Sequence, residues 1–246
     1  MKARRLDLEL VERGLVESRE QAQRFILAGE VWVDGQRWDK ASKPCAAGAA
    51  IEVRGADRYV SRGGHKMEGA IKGFKLEVTG WRCLDVGSST GGFTDCLLQH
   101  GAKEIVALDV GQGQLHWKLR QDPRVKVFEG VNARDLADFA PGHFPGDFNL
   151  VVADVSFISL RLVLPPAFDL LKSGGQVCAL IKPQFEAGRE EVGKGGIVRN
   201  AAVHERVVRS LREWAGAFPV TTVGVIDSPL PGRDGNEEFL WLLQKN

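Results

Sequence analysis

The stretch LDVGSSTGGFTD, residues 84–95, decides the fold. An apolar run ending in Asp85, broken by Gly87, Gly91 and Gly92 and followed by a second apolar segment, reads as a buried strand turning sharply into a helix. Such a turn offers bare backbone and a positive helix N-terminus to a nucleotide-like ligand. From Trp81 onward the hydrophobic period keeps switching between two and 3.6 residues. Strand patterns fall at 82–86, 104–109, 125–128, 149–153 and 177–181; helical patterns fall at 92–99, 114–121, 159–172 and 200–216. The last helix is capped by Asn200 and buries Val203, Val207, Val208, Leu211 and Trp214. This alternation predicts a parallel, doubly wound α/β sheet. Two final strands, 220–226 and 238–243, are separated by the turn-rich DSPLPGRDGN and predict an antiparallel pair, making seven strands.

In such a sheet the ligand lies at the carboxyl ends of the strands. Asp85 and Gly87 end the first strand and Asp109 the second, where a carboxylate can hold ribose hydroxyls of NAD or S-adenosylmethionine. The glycine spacing is G-x-x-x-G-G, so the dinucleotide fingerprint G-x-G-x-x-G is not met. D-x-G-x-x-x-G-G after a strand resembles motif I of the class I methyltransferases. That resemblance implies S-adenosylmethionine, held by Asp85, Gly87, Ser88, Gly91, Gly92, Phe93 and Asp109, with Asp154 adjoining. Of Asn132, Arg134 and Asp135, which follow the third strand, Asp135 is the expected adenine contact.

The N-terminal segment is different in kind. Leu6, Leu10 and Val11 share a helical face that Gly14 stops, and Ser18 opens a second helix carrying Ala22, Phe25 and Ile26 as a capping box. Val31–Val33 run into an Asp34-Gly35 turn, and 51–53 form another short strand. Residues 1–82 hold 16 Lys and Arg against 12 Asp and Glu, a net of +4 that leaves −3 for the remainder. The net charge of +1 therefore conceals a modest basic bias at one end. Residues 4–55, with S-R-x-x-A-x-x-x-I-x-x-G-x-V-x-V-D-G, resemble an S4 RNA-binding domain. The resemblance implies RNA contacts from Arg5, Arg19 and Arg24. The expected organisation is an S4-like domain over 1–60, a linker about 55–62, and a second domain over 63–246.

Four cysteines (Cys45, Cys83, Cys96, Cys178) are scattered without a C-x-x-C pair or clustered histidines, so neither a zinc site nor a disulfide framework is expected. Three sit in apolar runs and read as core. With no apolar run of membrane-spanning length and no signal core, a cytoplasmic protein is expected.

Asp154 ends the fourth strand (VVADVSF) and Lys182 the fifth (ALIKPQF), and a charge closing an apolar strand must face a cleft or a partner. Lys66 in SRGGHK, placed just before the first helix of the second unit, and Glu238 in GNEEF complete the set, with Glu237 the alternative in register. Lys66, Asp154, Lys182 and Glu238 resemble the K-D-K-E tetrad of the FtsJ-like RNA 2′-O-methyltransferases. An S4 domain ahead of that fold is the arrangement of the TlyA (hemolysin A) family of ribosomal RNA methyltransferases. The chemistry suits these side chains: a ribose hydroxyl is a very weak acid, and Lys182 beside a second lysine would accept its proton. Lys66 would supply positive charge at the oxygen, while Asp154 and Glu238 hold the two lysines. No metal is required.

Arg62 and the glycine-rich loop 188–199, with Arg189, Lys194 or Arg199, are further expected RNA contacts; a solvated connector is an equal reading of that loop. The resemblance implies ribosomal RNA, cytidine 2′-hydroxyls and, from the short termini, the large subunit; a monomer is expected. Asp154-Val155-Ser156-Phe157 also resembles the D-P-P-[YF] motif of base amino-methyltransferases, without its prolines. A non-catalytic ribosome-assembly factor is a third reading. Membrane lysis is the least supported, since no spanning helix and too few barrel-type strands are present.

Overall fold

Leu6, Leu10, Ala22 and Ile26 lie at helical spacing and are all fully buried, so two short helices fold onto one small core. The structure, a computed structural model, describes residues 3–16, 18–53, 58–232 and 234–246. It divides into two compact units, Met1–Arg58 and Tyr59–Asn246. Residues 55–57 of the expected linker lie outside the described residues. The first unit contains β1 (Arg4–Arg5), α1 (Leu6–Glu12), α2 (Arg19–Leu27), β2 (Val31–Val33), β3 (Gln36–Arg37), β4 (Pro44–Cys45) and β5 (Ile51–Val53). The Ser18 hydroxyl accepts the Gln21 N–H at 3.2 Å and caps α2. Asp34 (φ 50°) and Gly35 (φ 76°) form the turn between β2 and β3, and β5 pairs with the other edge of β2.

The second unit runs α3 (Gly63–Phe74), β6 (Arg82–Val86), α4 (Gly92–Gln99), β7 (Glu104–Asp109), α5 (Trp117–Arg120), β8 (Val125–Glu129), α6 (Leu136–His143) and β9 (Phe148–Ala153). It continues with α7 (Leu160–Asp169), β10 (Leu171–Ile181), α8 (Pro183–Glu186), α9 (Ala201–Ala215), β11 (Val220–Asp227) and β12 (Phe239–Lys245). The seven strands lie in the order β11-β12-β10-β9-β6-β7-β8, and β12 is antiparallel to both of its neighbours. The pleat sorts the core. Leu84, Val177, Ala179, Trp241 and Leu243 face α6, α7 and α9, while Cys83, Cys178, Leu180, Leu240 and Leu242 face α3 and α4. This is a seven-stranded Rossmann-like sheet between two helical layers, as the alternation of strand and helix implies.

Several boundaries differ from those read in the sequence. Strand β10 begins at Leu171 rather than 177, because Leu171 pairs with Phe148 before an irregularity at Lys172–Gly175 interrupts the ladder. Helix 114–121 shrinks to Trp117–Arg120: the Gly113 and Gln114 amides donate to the Glu129 carboxylate, and the Gly111 amide donates to Asp109. Helix α6 has no counterpart in the sequence reading, its apolar spacing being broken by Pro141 and Gly142. Lys66 lies in the first turn of α3 rather than ahead of it, since Gly63 and Gly64 are already helical.

Candidate active site

Strand parity brings the charged residues together. Asp154 follows β9, Lys182 follows β10 and Glu238 precedes β12, all on the parity that faces α3, the helix carrying Lys66. Two ion pairs result. Lys182 Nζ lies 2.6 Å from Asp154 Oδ1 and donates to Ser156 Oγ at 3.0 Å. Lys66 donates to Glu238 across 172 residues of chain, with both side chains buried. The alternative, Glu237, is 73% exposed and lies beside His204, so Glu238 is the acid at Lys66.

The glycine loop is shaped by close approach. Gly87 (φ +83°) lies against β9, where a Cβ would come 2.8 Å from the Asp154 carbonyl oxygen. Gly91 (φ +95°) caps α4, and a Cβ there would reach 2.2 Å from Leu119. A Cβ on Gly92 would come 2.8 Å from the Gly64 amide, so α4 and α3 meet backbone to backbone. Asp109 accepts the Ser89 and Gly111 amides at 2.7 Å each and holds the loop over the end of β7.

Two cavities flank this loop. One, of about 590 Å³, is walled by Leu108, Asp109, Val131, Asn132 and Ile158; the other, of about 320 Å³, holds Ser61, Arg62, Lys66, Phe93 and Lys182. They share Gly87, Ser89, Asp154 and Ser156. Asp85 lines neither. It is completely buried under the loop, with Oδ2 accepting the Thr94 hydroxyl at 2.6 Å and Oδ1 without a hydrogen-bond partner among the described residues. Burial pushes its carboxyl up to about 7, against the Thr94 hydrogen bond and with help from the charge of Asp154.

The remaining candidates spread out. Asp135 is exposed and outside both cavities; Asn132, Ala133 and Arg134 supply that wall instead. Arg62 donates to the Pro231 carbonyl at 3.0 Å and stands at the lysine cavity. Arg189 and Lys194 are exposed. In the first unit Arg5 and Arg19 both bind the fully buried Asp7, at 2.8 and 2.9 Å, whose carboxyl they hold far below the usual range. Arg24 is exposed beside Phe25.

Ser156 was not among the sequence candidates; a lone serine two residues after a strand-ending aspartate carries no motif. Phe157 was noted only in the D-x-x-F pattern. The structure gives its side chain 89% exposure and φ +62°, with the ring 5.0 Å from that of Phe185 at the mouth of the larger cavity. All four cysteines are buried and unpaired, and burial pushes the Cys83 and Cys178 thiols up to about 12. Among the described residues no group of His, Cys, Asp and Glu could hold a metal ion.

The family model of the FtsJ-like methyltransferases matches residues 59–245, the whole of the second unit's sheet and its two cavities. The chain belongs to the FtsJ-like methyltransferase family. The FtsJ-like unit is preceded by a match to the S4 domain over residues 4–51. A relative from Mycobacterium tuberculosis, the 16S/23S rRNA (cytidine-2′-O)-methyltransferase TlyA, is 48% identical over 97% of this chain and 89% of its own. Hemolysin A of Brachyspira hyodysenteriae is 42% identical over 96% of this chain and 98% of its own. A solved structure from Streptococcus thermophilus superposes with a TM-score of 0.72 at 45% identity, covering all of this chain and 90% of that one.

Proposed function

We propose that this protein transfers a methyl group from S-adenosylmethionine to a ribose 2′-hydroxyl of ribosomal RNA. The observation that carries the reading is the pair of adjoining cavities, one with an acidic strand end and apolar walls, the other with two lysine–carboxylate pairs. The residues of the larger cavity fit the methyl donor. Its volume of about 590 Å³ suits a nucleoside-sized ligand, and Gly87 lets the loop pack directly on the Asp154 backbone at the cavity wall. Asp109 keeps acceptor capacity for ribose hydroxyls beyond the two amides it binds. Asn132 would meet the base edge, in place of Asp135. Asp85 would act from beneath, as a buried carboxyl under the loop. When bound, S-adenosylmethionine supplies an electrophilic methyl group.

The chain's own residues prepare the acceptor. Lys182 is held by Asp154 and Ser156 at the wall common to both cavities and, once it has released a proton to solvent, would as the neutral amine take the proton of the 2′-hydroxyl. Lys66, fixed by Glu238, would place positive charge at the developing alkoxide. The rest is positioning, and Gly87 and Asp154 keep the dividing wall thin. Phe157, exposed at the mouth, offers a face for the target base.

Arg5, Arg19 and Arg24 would bind RNA through the S4 unit. The names of the Mycobacterium relative and of the Campylobacter jejuni 23S rRNA (cytidine-2′-O)-methyltransferase, 31% identical over 76% of this chain, both include 23S. Cytidine in large-subunit RNA is accordingly the favoured acceptor. The word hemolysin belongs to the names of the Brachyspira relative and of the Streptococcus structure; among the described residues here no helix is long and apolar enough to cross a membrane.

The deciding experiment is transfer of labelled methyl to separated 16S and 23S RNA and to both subunits, followed by alkaline hydrolysis. An alkali-resistant linkage at the labelled nucleotide supports ribose methylation. A methylated base would support the D-x-x-F reading instead, and RNA binding without transfer would leave an assembly factor.

A further inference from the structure

Asn236 is a polar residue only 2% exposed, outside both cavities and outside the lysine–carboxylate pairs. Both ends of its side chain are used on one short segment. Oδ1 accepts the Val198 N–H at 3.0 Å, and Nδ2 donates to the Gly196 carbonyl at 2.9 Å. His204, also buried, meets the Val198 carbonyl with Nε2 at 2.9 Å and lies 3.1 Å from Glu237 with Nδ1. The segment held in this way is a tight turn, with the Gly193 amide bonded to the Ile197 carbonyl at 3.0 Å.

The other side of Asn236 leads to the reacting groups. Its carbonyl accepts the Gly232 N–H at 2.8 Å, closing the turn that carries Pro231 into the lysine cavity. A Cβ on Gly232 would lie 2.6 Å from Glu238 Oε1, so this turn packs directly on the carboxylate that holds Lys66. The loop at the far end presents Arg189, Lys194 and Arg199, exposed and with no ion-pair partner among the described residues. One buried amide thus joins the Gly196–Val198 end of this loop, next to Arg199, to the turn packed on Glu238.

We propose that Asn236 is a positioning residue that couples loop 188–199 to the Glu238–Lys66 pair, so that RNA seated on the loop cations sets Lys66 at the acceptor oxygen. This rests on the methyltransferase reading above. A buried side-chain amide satisfied at both ends has one low-energy arrangement, which suits it to transmit a position rather than merely fill space.

Asn236→Asp keeps the acceptor for Val198 and loses the donor to Gly196; Asn236→Ala loses both. The expected result is a fall of about tenfold or more in kcat for ribose methylation, with S-adenosylmethionine affinity within twofold of wild type. In a Lys66→Ala background the same substitutions should change nothing further, because the two act as one unit. Unchanged kcat, or effects that multiply with those of Lys66→Ala, would overturn the proposal. Hydrogen exchange on the unliganded full chain reads the coupling without turnover. Asn236→Asp should loosen residues 193–198 and also 236–239 and the first turn of α3, whereas loosening confined to the loop would refute it. Wild-type protein assayed alongside separates the two ideas: no ribose methylation by it would sink the functional reading, while the exchange pattern still decides the role of Asn236.

Discussion

Asp85→Asn isolates a strongly perturbed carboxyl, buried beneath the glycine loop. Asp85 is wholly buried, and its folded-state value of about 7 stands well above an ordinary 3.8. The folded state therefore binds this proton more tightly than the unfolded chain does. The contribution to stability is complete below about pH 4 and is lost as pH rises through 7. The displacement from 3.8 to about 7 corresponds to about 4 kcal/mol, of which about 3 kcal/mol falls between pH 5 and 8. Asparagine has the same shape, still accepts from Thr94 and carries no charge. Urea unfolding of the unliganded protein at pH 5, 6, 7 and 8 measures the effect. Wild type should lose stability across that range, and Asp85→Asn should remove most of the slope while being the more stable of the two at pH 8. Parallel pH profiles for both proteins would refute the claim that burial raises the Asp85 carboxyl to about 7.

Asp7, in the S4 unit, should show the opposite sign. Its carboxyl is held low by Arg5 and Arg19, so its contribution is present above the unfolded value near 4 and lost in acid; Asp7→Asn should flatten acid unfolding of this unit, followed by hydrogen exchange. Lys182→Ala removes the proposed proton acceptor and should cut methyl transfer by about 10²–10⁴-fold. S-adenosylmethionine titration should be unchanged in that variant; retained transfer would assign the proton to another group. Gly87→Ala forces a side chain onto φ +83° and into the Asp154 carbonyl, costing about 1–3 kcal/mol in urea unfolding and most of the cofactor affinity.

The sheet was legible because most of its parallel strands are apolar runs with a charged residue at or near the carboxyl end. The pleat then carried Asp154 and Lys182 to one face without further information. Features that depend on partners far along the chain were not legible. Nothing local marks Leu171 as a strand residue; Phe148 pairs with it across the sheet. Glu129 takes the amides of Gly113 and Gln114 and so holds Gln114 out of the helix expected at 114–121. Asn236 and Ser156 are ordinary residues whose importance lies in what the fold places beside them. Asp85 has the converse history: its position in the motif was plain, but only the burial around it shows that it lies beneath the glycine loop rather than in the wall of either cavity.

The bond between Lys66 and Glu238 joins the first helix of the FtsJ-like unit to the residue just before its final strand. During synthesis, Lys66 leaves the ribosome long before Glu238, at about 5–20 residues per second. A nascent chain that has already folded its glycine loop therefore lacks the carboxylate that fixes one of its two lysines. On the role proposed for Lys66, competence for methyl transfer would arise only when β12 slots between β10 and β11, and activity would then report completion of the sheet.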